Sequence, residues 1–510
     1  MRYAIVWAML CAAGCGGDSA TPARDAGPDT ADSDLASDAP PEDTGDSSDA
    51  DVPDPHRDTR DDDRLDAQPD GPDSADAPPR VRPSGCNPVA WEQDCLLPYP
   101  SDFFLVDDAT TPTGKRVELT EAARPRTSVG DTFDLLRAHP ADGFSRHQPI
   151  VALFESGVSQ RSLTFHTDPP ASSPDATTVL LDAETGQPVP HWAELDKFTT
   201  DATRQVVMLR PYFRLRERTR YIVAFQNLVD AGGRPVRTPP SYTALAQTPR
   251  YREDILAPLA EFGVDVDAIE IAWDFTTGSD AHVQADLLAM RQDAVEFFAQ
   301  PVRLGEVTVT EIGSDLVALR VEGTLEVPLY LTSTAPGAAM HRGPDGAVAR
   351  NGTAAVPFTL QIPPSAIPTE AGFTPVRMLQ WGHGFFGLRE EINYGFNQRY
   401  AQEGPFAMAA VDWWGMSEPD VTAIVTVGDN LDRAFGFVDR LQQSMINQMA
   451  LTRALQTSIA DIAGLRRFGS PLYDPGAVSF YGISQGHIFG VAAVALNPWI
   501  DRAVLGVGGG

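Results

Sequence analysis

Basic side chains are scarce in this sequence. Its 510 residues include 39 lysines and arginines against 70 aspartates and glutamates, a formal net charge of −31, and only two of the basic residues are lysines. Proteins that bind nucleic acid need clustered lysine and arginine side chains to neutralise phosphates. The composition therefore argues against nucleic acid as the main partner.

Long apolar runs are absent, and cysteines are few. No stretch reaches the roughly 18 consecutive apolar residues that a membrane-spanning helix needs, so the sequence predicts no transmembrane helix. The four cysteines fall into two pairs, Cys11 with Cys15 near the N-terminus and Cys86 with Cys95 further on. The two pairs call for different explanations.

The first residues predict an exported protein. A positive charge at Arg2 precedes the short apolar run Tyr3–Leu10 and several small residues, which is the pattern of a secretory signal peptide. The segment Ala12–Cys15 resembles the lipobox of bacterial lipoproteins. This resemblance implies removal of residues 1–14, acylation of Cys15 and an anchor in the cell envelope, with the outer membrane as the expected location. The alternative is an ordinary cleaved signal with a chance cysteine.

An acidic segment follows the signal peptide. Residues 18–80 contain no phenylalanine, tyrosine or tryptophan, and they carry 20 acidic and five basic side chains. Such a segment cannot bury enough apolar surface to offset chain entropy, and its like charges repel one another. We therefore expect residues 15–84 to form a disordered acidic tether. Calcium binding is the alternative, but the acidic runs lack the spacing of an EF-hand loop.

The second cysteine pair opens the region of globular composition. In an exported protein, Cys86 and Cys95 can form a disulfide that closes a small loop. A zinc site is the alternative, although no further cysteine or histidine lies nearby in the sequence.

Short apolar runs alternate with turn signals through residues 85–250. This spacing predicts a β-sandwich of immunoglobulin-like type. Residues 251–335 predict a mixed α+β connecting region, with helices over 250–262 and 281–299. The apolar runs of the first region are Ile150–Phe154, Thr178–Leu181, Val206–Leu209 and Tyr221–Phe225.

Residues 336–510 have a different pattern. The strand-like runs Val376–Trp381, Phe406–Val411 and Ala477–Tyr481 alternate with helical segments. This alternation predicts an α/β domain with a mostly parallel sheet and crossover helices. The longest helical segment, Leu431–Leu455, has apolar residues on one face, so its methionines are expected in the core.

One turn of this region resembles the nucleophile elbow of α/β-hydrolases. Gly482, Ser484 and Gly486 have the required G-x-S-x-G spacing, directly after a strand-like run and before a helix of small residues. In that motif a sharp turn exposes a strained serine, and a side chain at either glycine would clash with neighbouring backbone. The resemblance implies that Ser484 is a catalytic nucleophile.

A second turn resembles the oxyanion loop of the same family. Gly382 and Gly384 flank His383 directly after an early strand. The resemblance implies that backbone N–H groups of Phe385 and Gln485 stabilise the oxyanion, a contribution of about 3–4 kcal/mol for one such donor. His383 would then shape the loop rather than act as the base. The alternative is a purely structural glycine-rich turn.

The overall layout resembles secreted bacterial lipoprotein lipases and esterases, which place a β-sandwich ahead of an α/β-hydrolase domain. In α/β-hydrolases the triad residues follow the order serine, acid, histidine. After Ser484 the sequence contains only Asp501 and His487, and neither occupies the family's acid or base position. We therefore expect a hydrolase domain that is incomplete at Gly510, with the acid and base in a missing segment. A triad that uses His383 or His487 is the alternative.

The sequence thus favours an envelope-anchored serine hydrolase that cleaves carboxylic esters, and the resemblance implies lipid or acyl esters. Its partners would be the membrane, through the lipid anchor, and a small ester substrate. No metal or cofactor is implied, because acyl transfer to serine needs none. The alternative is a catalytically inactive surface binding or adhesion lipoprotein, suggested by the missing triad partners. A peptidase on the same fold is a weaker third interpretation.

Overall fold

The structure is a computed structural model of the chain. It describes residues 81–126, 130, 132–134, 136, 139–163, 173–427 and 434–508. The expected signal peptide, the expected lipidation site Cys15 and the expected tether up to residue 80 lie outside these ranges. Within the described ranges, no helix has the length and apolar character needed to cross a membrane.

The first part of the described chain consists of short antiparallel strands. They are β1 (Leu105–Asp107), β2 (Lys115–Val117), β3 (Ile150–Ala152), β4 (Thr178–Asp182), β5 (His191–Leu195), β6 (Val207–Pro211), β7 (Arg220–Gln226) and β8 (Ile269–Thr276). They form sheets in the orders β1-β2, β3-β6-β5 and β4-β7-β8. The two three-stranded sheets share one apolar core. An immunoglobulin-like topology for this region stays a prediction.

The strands of this region bury alternate side chains. In β5, Ala193 and Leu195 are buried, whereas Trp192 and Glu194 are half-buried. This period of two is the pattern of a strand that packs one face on a core.

Helices lie between β7 and β8 and directly after β8. They are α1 (Pro240–Leu245), α2 (Pro249–Tyr251), a π-helical turn (Arg252–Leu256), α3 (Ala257–Phe262) and α4 (Asp280–Phe297). The Ser279 side chain accepts the His282 N–H and so caps the start of α4. Met290 and Ala294 of α4 are buried in the core of the larger sheet that follows.

The second part of the chain is built around a seven-stranded sheet. Its strands, with the small pair β14–β15, are β9 (Leu304–Glu311), β10 (Leu319–Pro328), β11 (Thr353–Ile362), β12 (Val376–Gly382), β13 (Phe406–Val411), β14 (Arg466–Arg467), β15 (Ser470–Pro471), β16 (Tyr473–Ile483) and β17 (Ala503–Gly506). The order is β17-β16-β12-β13-β11-β10-β9. β17, β16, β12 and β13 are mutually parallel. β10 shares their direction, because β11 is antiparallel to both β13 and β10.

Helices connect the parallel strands. α5 (Gly395–Glu403) lies between β12 and β13, α6 (Val421–Val427) and α7 (Phe435–Gln456) follow β13, and α8 (Gln485–Leu496) joins β16 to β17. Met445 and Met449 of α7 are buried in the sheet's core, as the sequence predicted. A mostly parallel sheet with crossover helices fits an α/β-hydrolase domain, in agreement with the sequence resemblance.

Two boundaries drawn from the sequence separate strands that the structure pairs. The boundary at residue 250 lies between β7 and β8, which are hydrogen-bonded neighbours. The boundary at residue 335 lies between β10 and β11, which pair over their full length of ten residues. A single sequence does not show these pairings, because the paired strands are separated by helices or long loops.

Candidate active site

The structure brings the two glycine-rich turns together. β12 and β16 are adjacent parallel strands, and Gly382 at the end of β12 pairs with Gly482 near the end of β16. The carboxyl ends of parallel strands lie on one edge of a sheet, where α/β proteins place their ligand sites. The turn at 382–387 and the turn at 482–486 therefore lie side by side.

Ser484 sits at the turn from β16 into α8. Its backbone has φ 55° and ψ −119°, and its side chain is exposed. A positive φ at a residue other than glycine costs about 1–3 kcal/mol and is held only by surrounding contacts. Here the Ser484 N–H donates to the Gly506 carbonyl of β17 at 3.1 Å. The sheet thus holds the serine in a strained turn that presents its side chain to solvent.

Three glycines allow the close approach of the two turns. A Cβ atom on Gly482 would lie 2.1 Å from the Gly486 carbonyl oxygen, and a Cβ atom on Gly486 would lie 2.1 Å from the Gly382 carbonyl oxygen. Both contacts are with backbone, which cannot rotate away as a side chain can. Gly382 is also close to the Phe480 ring, which a Cβ atom there would approach to 2.8 Å.

His383 is fully buried and fixes the first turn. Its Nε2 accepts the Trp413 N–H at 2.8 Å, so the proton resides on Nδ1, which donates to the Gly384 carbonyl at 2.9 Å. Burial lowers the pKa of His383 below its usual range, against the opposing effects of the Gly384 carbonyl and Asp412. The imidazole is therefore neutral and holds the end of β12 against the end of β13.

Glu391 holds the same loop from the other side. Its carboxylate accepts the Gly384 N–H at 2.7 Å, and burial raises the pKa of Glu391 above its usual value. Sequence reasoning did not identify this residue, because an acid seven positions beyond a loop glycine carries no recognisable motif.

Two backbone N–H groups remain free beside Ser484. Within the described ranges, neither the Phe385 N–H nor the Gln485 N–H has a hydrogen-bond acceptor. Gln485 begins α8, and the N-terminus of a helix favours negative charge. The two predicted oxyanion donors are thus available to a ligand, on two turns that lie side by side.

The loop after β13 completes the edge of the site. The Gln485 side chain donates to the Met416 carbonyl at 2.9 Å, which ties this loop to the elbow. Within the loop, Asp420 accepts from the Gly415 N–H at 2.8 Å and pairs with Arg440 of α7 at 2.8 Å. Both charged side chains are almost completely buried. This ion pair was not predicted, because its partners lie twenty residues apart in the sequence.

A base for Ser484 is not found among the described residues. No described side chain hydrogen-bonds to the Ser484 hydroxyl. His383 is occupied by its two backbone partners. His487 lies in the first turn of α8 with a buried Nδ1 that has no partner in the described part of the chain, and Asp501 is exposed between α8 and β17. The side chains of His487 and Asp501 therefore make no hydrogen bond to the Ser484 hydroxyl, although the His487 backbone N–H donates to the Ser484 carbonyl at 2.9 Å.

The aromatic residues around the site divide into two groups. Trp381, Trp413 and Trp414 are buried in the cores on the two faces of the sheet. Phe385 and Phe386 are half-buried, with ring centroids 4.4 Å apart. Of these five residues, only the two phenylalanines have the exposure to line an acyl pocket.

The other predicted site residues are cysteines near the start of the chain, far in sequence from the two glycine-rich turns. Cys86 and Cys95 are joined in a disulfide at the start of the β-rich region. Cys15 lies outside the described residues. Among the residues that the structure describes, no group of three or more histidine, cysteine or acidic side chains could hold a metal ion.

No family model and no curated protein matches this sequence. Solved esterase structures show a limited similarity to it. An acetyl xylan esterase from Paenibacillus sp. R4 has 17% identity and a TM-score of 0.27 over 44% of this chain and 60% of that chain. Acetyl xylan esterase 1 from Thermoanaerobacterium sp. has 15% identity and a TM-score of 0.25 over 44% and 58%. A glucuronoyl esterase from Solibacter usitatus has 11% identity and a TM-score of 0.21 over 45% and 60%. The chain thus spans at most three-fifths of each.

Proposed function

We propose that this protein is a serine hydrolase of carboxylic esters. The observation that carries the proposal is the backbone of Ser484, which holds an exposed hydroxyl at positive φ between a parallel strand and a helix. Strain of this kind persists where the surrounding structure enforces it, and it is concentrated at functional sites. The free N–H groups of Phe385 and Gln485 on neighbouring turns provide the second half of an acyl-transfer site.

The proposed reaction has two steps. Ser484 Oγ attacks the ester carbonyl carbon, the oxyanion accepts from the Phe385 and Gln485 N–H groups, and the alcohol leaves with the serine proton. Water then attacks the acyl-serine and releases the carboxylic acid. Both steps need a base that accepts and returns the proton. No described side chain hydrogen-bonds to the Ser484 hydroxyl, so the proposal assigns the base to none of them.

The substrate and location are further parts of the proposal. The half-buried Phe385 and Phe386 give the loop beside Ser484 an apolar surface, which favours an acyl chain over a charged group. The lipobox-like Ala12–Cys15 supports an anchor in the bacterial envelope, with the acidic tether between membrane and enzyme. Lipid or acyl esters at the membrane surface are the proposed substrate class.

Hydrolysis of p-nitrophenyl acetate and p-nitrophenyl butyrate tests the proposal. Protein from the complete reading frame should turn over both esters, and Ser484→Ala should lower the rate to that of the uncatalysed reaction. Ser470→Ala is the matched control, because Ser470 is also exposed but lies on the small strand β15. Full activity in Ser484→Ala would contradict the assignment of the nucleophile.

A surface binding or adhesion lipoprotein is the second candidate. The observation that favours it is the absence, within the described ranges, of any side chain hydrogen-bonded to Ser484. A serine without a base is a weak nucleophile. If neither ester is hydrolysed by protein from the complete reading frame, the second candidate replaces the first.

A further inference from the structure

The turn that carries the Phe385 N–H is strained. The Gly387 N–H donates to the Gly384 carbonyl at 3.1 Å, which closes a four-residue turn over residues 384–387. Within this turn Phe386 has a φ of 49°. A bulky side chain rarely adopts a positive φ, and such a conformation persists only where surrounding contacts enforce it.

Two side chains fix Gly384, the first residue of this turn. Its N–H donates to the Glu391 carboxylate at 2.7 Å, and its carbonyl accepts from His383 Nδ1 at 2.9 Å. An ideal Cβ position at Gly387 lies 3.0–3.3 Å from the carboxylate, the imidazole nitrogen and the carbonyl oxygen, so the three groups converge on one point. Glycine has more backbone freedom than any other residue, and without these bonds its two peptide planes could rotate independently.

The conformation of Gly384 sets the direction of the Phe385 N–H. The Gly384 carbonyl and the Phe385 N–H belong to one planar trans peptide group, in which they point in opposite directions. The carbonyl faces His383 Nδ1 and the Gly387 N–H, so the Phe385 N–H points away from both. A rotation at Gly384 would therefore turn this donor away from the proposed oxyanion.

Glu391 is itself held in place. It lies in the 3₁₀ helix Arg389–Asn393, whose Ile392 is fully buried against β12 and β13. Asp412, directly after β13, accepts from the Arg389 N–H at 2.6 Å and from the Arg389 guanidinium at 2.7 Å. These contacts tie the 3₁₀ helix to the sheet edge that carries the two glycine-rich turns.

We infer that Glu391 is a positioning residue of the candidate active site. Its carboxylate holds Gly384 and thereby directs the Phe385 N–H toward the oxyanion of the acyl-transfer reaction. The inference rests on the proposed function, and it adds a residue that neither glycine motif contains. Because an oxyanion donor acts mainly on the transition state, loss of its alignment should lower kcat and leave KM nearly unchanged.

Three variants test this role with p-nitrophenyl butyrate. Glu391→Leu removes the acceptor and should lower kcat about tenfold or more, with KM changed less than about twofold, since a small misplacement of a catalytic group can cost about 100-fold. Glu391→Gln keeps an oxygen that can accept the Gly384 N–H and should keep kcat within about threefold of the unmodified protein, because a neutral acceptor is weaker than a charged one. Glu403→Leu, at an exposed glutamate that ends α5, is the matched control and should behave as the unmodified protein does.

Hydrogen–deuterium exchange at the Gly384 amide gives a readout that does not need hydrolysis. We expect exchange about tenfold faster or more in Glu391→Leu than in the unmodified protein, with Glu391→Gln between them, because the N–H loses its acceptor. Unchanged exchange in Glu391→Leu would overturn the inference whether or not the protein hydrolyses esters.

The outcomes separate this inference from the proposed function. Circular dichroism and the thermal midpoint establish that each variant is folded; if Glu391→Leu is not, Glu391→Asp replaces it, since its shorter side chain draws the carboxylate back from the Gly384 N–H. In an active protein, a kcat unchanged in Glu391→Leu, lowered equally in Glu403→Leu or not restored in Glu391→Gln would overturn the inference alone, as would a loss confined to KM. An unmodified protein without esterase activity would refute the proposed function, and the positioning role would fall with it.

Discussion

There is no room for a side chain at Gly486, which lies against the end of β12. A Cβ atom at position 486 would lie 2.1 Å from the Gly382 oxygen, 2.6 Å from the Gly382 carbonyl carbon and 3.0 Å from the His383 oxygen. Gly486→Ala therefore forces α8 and the end of β12 apart by about 1.3 Å to reach an ordinary contact of 3.4 Å. The clash joins the first turn of α8 to backbone atoms at the end of β12, so no side-chain rotation relieves it.

The magnitude follows from known overpacking effects. Forced insertion of a methyl group into a packed interior costs about 1–3 kcal/mol. Because 1 kcal/mol lowers the thermal midpoint of a domain of 150–250 residues by about 2–4 °C, we expect Gly486→Ala to lower the midpoint by about 2–12 °C.

Differential scanning calorimetry of Gly486→Ala beside Gly506→Ala checks this prediction. Gly506 lies on the adjacent strand β17, and a Cβ atom there would have its nearest neighbour at 3.9 Å. The control variant should therefore keep the midpoint of the unmodified protein within about 2 °C, as expected of an uncrowded substitution. Equal midpoints for the two variants would refute the close approach of the two turns.

Two further predictions concern buried titratable side chains. Because burial holds the pKa of His383 below 6.5, the unfolded chain takes up this proton first as the pH falls, so folding stability decreases below about pH 6.5. NMR titration of the labelled imidazole should give a midpoint below 6.5, and a midpoint at or above that value would contradict the neutral tautomer. Asp420→Asn leaves Arg440 buried without its partner and should cost about 3–5 kcal/mol in chemical denaturation. The exposed pair Arg466–Asp461 is the comparison, and Asp461→Asn should change stability by less than about 1 kcal/mol; equal losses would show that the buried pair is no more important than a surface pair.

Local patterns predicted many of the elements. The run Phe406–Val411 coincides with β13, and the run Val376–Trp381 differs from β12 by one residue. An apolar run bounded by turn residues is a local feature, so a strand of this kind can be predicted from a single sequence without knowledge of its tertiary contacts. The elbow could also be predicted from the sequence, because the spacing of its glycines is local. The structure shows why glycine is needed there, since a Cβ atom at Gly482 or Gly486 would clash with backbone.

Strand β11 was not predicted, and its sequence explains why. Pro357 lies in the middle of it, opposite Thr324 of β10. Proline lacks an N–H and is normally confined to edge strands, so it argues against a central strand. In the structure β11 lies between β13 and β10, and its neighbours Val356 and Phe358 are buried. Tertiary packing outweighed the local signal.

The contacts that position the candidate site are nonlocal and were not predicted. Three side-chain hydrogen bonds join segments between seven and 69 residues apart. Glu391 accepts the Gly384 N–H, the Gln485 side chain donates to the Met416 carbonyl, and Arg440 donates to Asp420. These side chains are ordinary polar residues in the sequence. Only the fold shows that each meets a buried backbone group or charge at the edge of the sheet.

Covalent labelling of Ser484 tests whether this serine is an activated nucleophile. A fluorophosphonate probe reacts with a serine that its surroundings activate, and peptide mass spectrometry identifies the modified residue. We predict one phosphonylated residue, Ser484, in protein from the complete reading frame, with labelling retained in Ser470→Ala and lost in Ser484→Ala. Folded protein that remains unlabelled at Ser484, or that is labelled at another serine, would contradict the hydrolase proposal.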